Sequence, residues 1–253
     1  MKFLHISDLH YSNDYQNKGG SFNQVYTKMT NPLIQLKSVI NQNEKYDFIL
    51  VTGDICEYGT VQEYKEVKSY LEKLFNCPVI GTAGNHDNID NFEKGFNALF
   101  YVKEVEKLKI ISFNSADKEN DDGMINEETI LKLKKELAKE TDKKILLITH
   151  HHLLEEQFVM KTAINSDKVK EIIKQSNTIA IFTGHTHHFY VNSLDNKAYF
   201  TTGSLSFVVE NENEILNVYQ QPLVNEYKLT DKAIICRPLK HKEKLLLVSD
   251  LKV

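Results

Sequence analysis

The sequence predicts an α/β layered domain, and three observations predict it: short apolar runs, helical periods between them, and a polar cluster closing each run. FLHIS at 3 to 7, FILVT at 48 to 52, PVIGT at 78 to 82, ILLIT at 145 to 149 and AIFT at 180 to 183 are rich in Val, Ile, Leu, Phe and Thr. Such runs suit strands buried on both faces. Asn31 followed by Pro32 reads as a helix start, and Thr60 with Glu63 has the capping-box spacing ahead of Tyr64, Val67, Leu71 and Leu74. A further helix is expected from about Glu127 to Lys139. It would turn Ile130, Leu133 and Leu137 inward and Lys132, Lys134 and Lys135 to water. In sheets of this kind ligands gather beyond the carboxyl ends of the strands.

The clusters that close those runs carry the chemistry. They are DLH at 8 to 10, GDICE at 53 to 57, GNHD at 84 to 87, HHH at 150 to 152 and GHTH at 184 to 187. Each supplies one or two metal-ligand side chains from a strand end. If the ends share one edge, the clusters assemble a two-metal centre, whose cations can lower the pKa of a bound water enough to form hydroxide near neutral pH. Imidazoles mixed with carboxylates suit Mn, Fe or Zn better than Mg alone, and no cysteine ligand is implied. A histidine beside the ions but not bound to them could donate a proton to a leaving alkoxide.

Taken in order, D-x-H, G-D, G-N-H-D, H-H and G-H-x-H resemble the calcineurin-like metallophosphoesterase superfamily, in layout the small cyclic-nucleotide phosphodiesterase-like branch. The motif-bearing region covers roughly residues 3 to 205. The resemblance implies a layered β-sandwich flanked by helices. It also implies that Asp8, His10 and His187 bind one metal, that Asp54 bridges both, and that Asn85, His150 and His185 complete the second site. His86 then corresponds to the non-ligand histidine facing substrate. Glu57 stands where the family more often has an Asp that orients that histidine. The fourth cluster departs from the usual H-H-P: register favours His150 as the ligand, His151 is the alternative, and His152 takes the proline position.

Other polar residues have plainer readings. Asp87 could serve as a turn or helix-cap residue. His5 and His241 read as structural or surface residues, Cys56 as a small buried filler, and Asn114 and Ser115 as a turn. His188 either touches substrate or starts the next strand. The segment from Tyr11 to Thr30, with Gly19 and Gly20, is long for a compact domain and is expected to form one wall of the active-site mouth.

A chain of 253 residues with 41% hydrophobic and 26% charged residues has globular values, and one domain over 1 to 253 is expected. The net charge of -4 carries no footprint for nonspecific nucleic-acid binding. A single arginine, Arg237, means that phosphate recognition relies on metals, His, Asn, Lys and backbone amides. No apolar run approaches membrane-spanning length, Met1 to Phe3 lead straight into the first strand, and three cysteines stand at unrelated spacings. A reduced cytoplasmic setting is therefore expected. Beyond about residue 189, FYVNSL, KAYFTT, SLSFVVE, EILNVYQ, KAIICR and KLLLVSD read as antiparallel strands that extend the same sheets. The expected function is binuclear hydrolysis of a small phosphodiester, with a phosphomonoesterase as the alternative. A nuclease and a non-catalytic scaffold rank below both, and oligomeric state is not set by the sequence.

Overall fold

A computed structural model describes the chain except for residues 18–21, 156, 158–159, 213–214, 241–243 and 251–253. The readings of Gly19, Gly20 and His241 lie outside the described residues. The first half runs β1 (Lys2–Ile6), α1 (Asn23–Tyr26), α2 (Pro32–Val39), β2 (Phe48–Thr52), α3 (Val61–Phe75), β3 (Val79–Thr82), α4 (Ile89–Gly95), β4 (Phe100–Val105) and β5 (Leu108–Phe113). It continues through α5 (Glu127–Leu137), β6 (Lys144–Ile148), α6 (Ser166–Lys174) and β7 (Thr178–Thr183). Seven strands close the chain: β8 (Tyr190–Leu194), β9 (Lys197–Thr201), β10 (Val208–Glu212), β11 (Ile215–Gln220), β12 (Leu223–Leu229), β13 (Ile234–Lys240) and β14 (Lys244–Asp250).

Two sheets face each other. One has the order β13-β12-β1-β2-β3 and the other β4-β5-β6-β7-β9-β8. Their facing sides alternate with their outer sides along each strand, as period-two geometry requires. Phe3, Phe48, Leu50 and Ile80 thus meet Ile110, Leu146, Ile148 and Phe182 between the sheets. The intervening residues Leu4, Ile49 and Val51 pack outward with Tyr64, Val67 and Leu71 of α3. Ile111, Ile145 and Leu147 do the same with Leu133 of α5 and Val169 of α6. The result is the helix-flanked β-sandwich expected from the sequence.

The connections explain where polar residues collect. β1, β2 and β3 are parallel neighbours, as are β5, β6, β7 and β9. Parallel pairing needs a crossover that returns the chain to the same edge, so each strand delivers its following loop to one rim. Helix starts are fixed locally. Asn31 accepts from Leu33 N, and Thr60 and Glu63 close the capping box. Glu63 is also buried, accepting from the Ser12 hydroxyl and the Asn13 amide, so the same side chain ties the loop after β1 to α3.

The C-terminal strands follow the expectation only in part. β8 and β9 extend the second sheet, but β9 lies parallel to β7 because it leaves β8 by a tight hairpin beside it. β12, whose polar Asn225 and Glu226 interrupt its apolar pattern, lies inside the first sheet between β13 and β1 and was not foreseen. β10, β11 and β14 form a third, three-stranded sheet. Its Phe207, Val218 and Leu246 side packs on Val25, Tyr26 and Met29, making a cap over the rim.

Replacing Thr60 with Ala removes the acceptor of the capping box and should lower stability by about 1 kcal/mol, read as a lower urea midpoint at unchanged slope. An unaltered midpoint would show that the box contributes nothing to the folded state.

Candidate metal centre

The rim gathers every residue singled out for chemistry. Asp8 and His10 follow β1, Asp54 and Glu57 follow β2, Asn85 and His86 follow β3, His150 follows β6, and His185 and His187 follow β7. The first two loops continue the parallel pairing beyond the strands, with Asp8 N donating to Gly53 O and His10 N to Asp54 O. Asp8, His10, Asp54, His185 and His187 all have left-handed backbones, with φ from 46° to 71°. Non-glycine residues adopt that region at a cost, and such outliers concentrate at functional sites.

Glycines make room for this crowding. At Gly84 a Cβ would lie 2.2 Å from Asp54 Oδ1, so only glycine lets the β3 loop approach the carboxylate. Gly53, at φ +88°, would put a Cβ 2.4 Å from His150 Nδ1. Asp87 pins the two loops together. Its carboxylate accepts from Ile55 N, Cys56 N, Gly84 N and the Tyr64 hydroxyl. Burial and the nearby Asp54 push its pKa up to about 7.

Three imidazoles are held in one tautomer. His10 Nδ1 donates to Glu57 at 3.0 Å, His150 Nδ1 to Thr52 O at 2.7 Å and His187 Nδ1 to Phe207 O at 2.6 Å. Because those oxygens can only accept, each of these rings, when it gives up its second proton to a metal, would turn its Nε2 lone pair inward. There His10 Nε2 and His187 Nε2 lie 3.3 Å apart, and His187 Nε2 lies 3.3 Å from Asp8 Oδ1. Asp8 Oδ1 is buried with no hydrogen-bond donor. On the other side His150 Nε2 faces Asn85 Oδ1 at 3.1 Å and Asp54 Oδ2 at 3.4 Å. Acceptors thus converge on both sides of Asp54, the arrangement a pair of cations satisfies.

The electrostatics agree. Burial would raise the pKa of Asp8 and Asp54, but His187 acts against it at Asp8 and His150 with His86 at Asp54, and both carboxyls stay below the usual range. Burial would lower the His150 pKa, yet Asp54 lifts it to about 9, so without a cation its Nε2 carries a proton toward Asp54, one that a bound ion would displace. Burial and the neighbouring histidines keep His185 well below an ordinary imidazole, so its ring is a neutral donor of electron pairs.

Among the described residues, three sets of side chains have ligand atoms within 4.8 Å of one another: Asp8, His10, Asp54 and His187; His150, His151 and His185; and His10, Glu57 and His86. The members of the last set bond to each other through Nδ1, and so do not share a free centre. His151 lies near His150 and His185 but has both ring nitrogens engaged, Nδ1 with Ser115 Oγ at 2.9 Å and Nε2 with Asp121 O at 3.0 Å. His152 is buried and meets Met160 O.

The remaining readings divide. His5 is buried against Thr52 Oγ1, and Cys56 is core filling. Asn114 closes a turn on Ala116. His188 exchanges backbone bonds with the Thr186 hydroxyl and is not among the described residues lining the cleft, and β8 begins two residues later. The loop after β1 does form a wall, through Phe22 and Tyr26. Two contributors escaped the sequence reading: Tyr26, whose hydroxyl donates to Glu57 Oε2 at 2.7 Å, and the Phe207 carbonyl. No local pattern marks either, because both reach the rim only when the cap folds.

A cleft of about 380 Å³ opens over this centre. Phe22, Tyr26, Met160, Phe207 and Val209 contribute apolar lining, Asp121 and Asp122 acidic lining, and no Lys or Arg is among its described lining residues. His86 sits at its floor, partly exposed, with Nδ1 on Glu57 at 3.0 and 3.2 Å. Among the described residues no helix is long and apolar enough to cross a membrane.

Known proteins resemble the chain in sequence and in fold. "Probable glycerophosphodiester phosphodiesterase GpdQ" of Arcobacter nitrofigilis is 34% identical over 161 residues, 58% of this chain and 59% of that protein. The match therefore spans less than two thirds of that relative. The "3',5'-cyclic adenosine monophosphate phosphodiesterase CpdA" of Haemophilus influenzae is 27% identical over 202 residues, 74% of this chain and 70% of the relative. The fold resembles GAP50, the anchor in the inner membrane complex of Plasmodium, at TM-score 0.62 and 15% identity, covering 99% of this chain and 88% of that one. It also resembles a purple acid phosphatase from yellow lupin at TM-score 0.57 and 12% identity, covering 94% and 53%. The calcineurin-like phosphoesterase profile matches residues 1–189, and the chain belongs to that family.

Proposed function

We propose that the protein hydrolyses small phosphodiesters with two transition-metal ions, Mn, Fe or Zn, acting as one cytoplasmic domain over 1–253. The observation that carries this reading is the convergence of metal-ligand side chains on both sides of Asp54, with Asp8 Oδ1 buried without a donor and His86 lining the cleft beside them. Asp8, His10 and His187 would hold one ion, Asn85, His150 and His185 the other, and Asp54 lies between the two sets and would serve both. The names of the relatives, a glycerophosphodiester and a cyclic-nucleotide phosphodiesterase, support the substrate class. When bound, the ions supply positive charge for the phosphoryl oxygens and acidify a water nucleophile.

The chain's own residues do the rest. Glu57 holds His86 by Nδ1, which leaves Nε2 to carry the proton for the leaving alkoxide. Burial would lower the His86 pKa, but Asp54 and Glu57 push it up to about 9. The proton is therefore present at neutral pH and is lost as pH rises through that value. Diesters fit the cleft better than monoesters. A monoester dianion needs added cationic side chains, the described lining has none, and Arg237 is committed to Glu226 at 2.7 Å on the far strands.

Three measurements check this reading. His150→Ala should lose one metal ion per chain by elemental analysis while His151→Ala keeps both; the reverse would move the ligand to His151. His86→Ala should retain both ions while kcat falls by roughly 10² to 10⁴, with the basic limb of the kcat–pH profile gone. Loss of an ion in that variant would make His86 a ligand. Bis(p-nitrophenyl) phosphate should exceed p-nitrophenyl phosphate in kcat/KM with the same added metal. The opposite order would favour a phosphomonoesterase.

A further inference from the structure

Glu57 is one methylene longer than the Asp common at its position, and it serves more partners than an orienting acid needs. Its Oε2 accepts from His10 Nδ1 at 3.0 Å, from His86 Nδ1 at 3.0 Å and from the Tyr26 hydroxyl at 2.7 Å. One carboxylate oxygen thus touches the ring of a proposed metal ligand and the ring of the proposed acid. A glutamate has an extra rotatable bond to immobilise, and without a third anchor it can satisfy one histidine while releasing the other. Tyr26 is that anchor: it is 1% exposed, its ring lies 5.9 Å from that of His10, and its hydroxyl donates to Glu57 Oε2.

Tyr26 comes from the cap. It packs with Phe207, Val218 and Leu246, and Phe207 in turn offers its carbonyl to His187 Nδ1. The cap therefore reaches the first metal site twice, through a hydroxyl and through a carbonyl.

We propose that Tyr26 is a positioning residue: its hydroxyl holds the Glu57 carboxylate so that it serves His10 and His86 together, coupling metal affinity at one site to proton donation. The inference rests on the ligand and acid roles proposed above.

The test is a double-mutant cycle of Tyr26→Phe and Glu57→Gln, read by Mn²⁺ calorimetric titration and by turnover of bis(p-nitrophenyl) phosphate and diphenyl phosphate. Tyr26→Phe keeps the ring and its packing. It should weaken Mn²⁺ at one site by about tenfold, the lower end for a residue behind a metal ligand. It should also lower kcat more for diphenyl phosphate, the poorer leaving group, with KM unchanged. In the Glu57→Gln background the same substitution should change nothing further. Wild-type Mn²⁺ affinity in Tyr26→Phe, or an equal loss in both backgrounds, would overturn the proposal and leave Tyr26 as packing. The calorimetric arm uses no substrate. It decides the matter even if the wild-type protein cleaves neither diester, a result that would overturn only the phosphodiesterase reading.

Discussion

The carboxylates of Asp8, Asp54, Glu57 and Asp87 are buried at one rim of the sandwich with no Lys or Arg among the described residues lining the cleft, and the local architecture answers that concentration of negative charge. An isolated buried carboxylate is prohibitively costly, so each must find donors or cations. Glu57 finds three donors in His10, His86 and Tyr26. Asp54 Oδ1 takes the His86 amide and Asp8 Oδ2 the His185 amide, and their other oxygens face the Nε2 atoms of His10, His150 and His187. In the proposed centre a pair of cations would supply the balancing charge there.

The same constraint explains the backbone. Parallel strands bring the loops to one rim, yet a regular exit would spread their side chains along it. Left-handed turns at Asp8, His10, Asp54, His185 and His187 fold the side chains back toward a common centre. Those conformations persist because their surroundings over-determine them. The Ser204 and Ser206 hydroxyls hold the Asp8 carbonyl, and Asp87 gathers three backbone amides from the β2 and β3 loops. Stability is drawn from the two faces of the sheets, and the rim uses it.

Much of this was legible in the sequence because strand ends and ligand motifs are both local. FILVT followed by GDICE announces a buried strand and a carboxylate at its end in ten residues, and Thr60 with Glu63 announces the helix that follows. What was illegible depends on long-range closure. β12 carries Asn225 and Glu226, which suit it to Thr202, Lys2 and Tyr46, partners far away in sequence. Tyr26 and the Phe207 carbonyl become functional only when a third sheet forms from strands on either side of β12 and β13. Register alone leaves HHH open between His150 and His151. In the structure Ser115 and Asp121 meet both ring nitrogens of His151, while His150 Nε2 faces Asn85 and Asp54, which is what favours His150 in the proposed centre.

In the proposed centre one carboxylate, Asp54, serves two ions. The metal content of Asp54→Asn, by elemental analysis after equilibration with Mn²⁺, tests this against wild-type protein. Two ions per chain are expected in the wild type and reduced occupancy of both sites in the variant, because the neutral amide cannot balance either cation. Two tightly held ions in Asp54→Asn, or a single ion in the wild type, would contradict it.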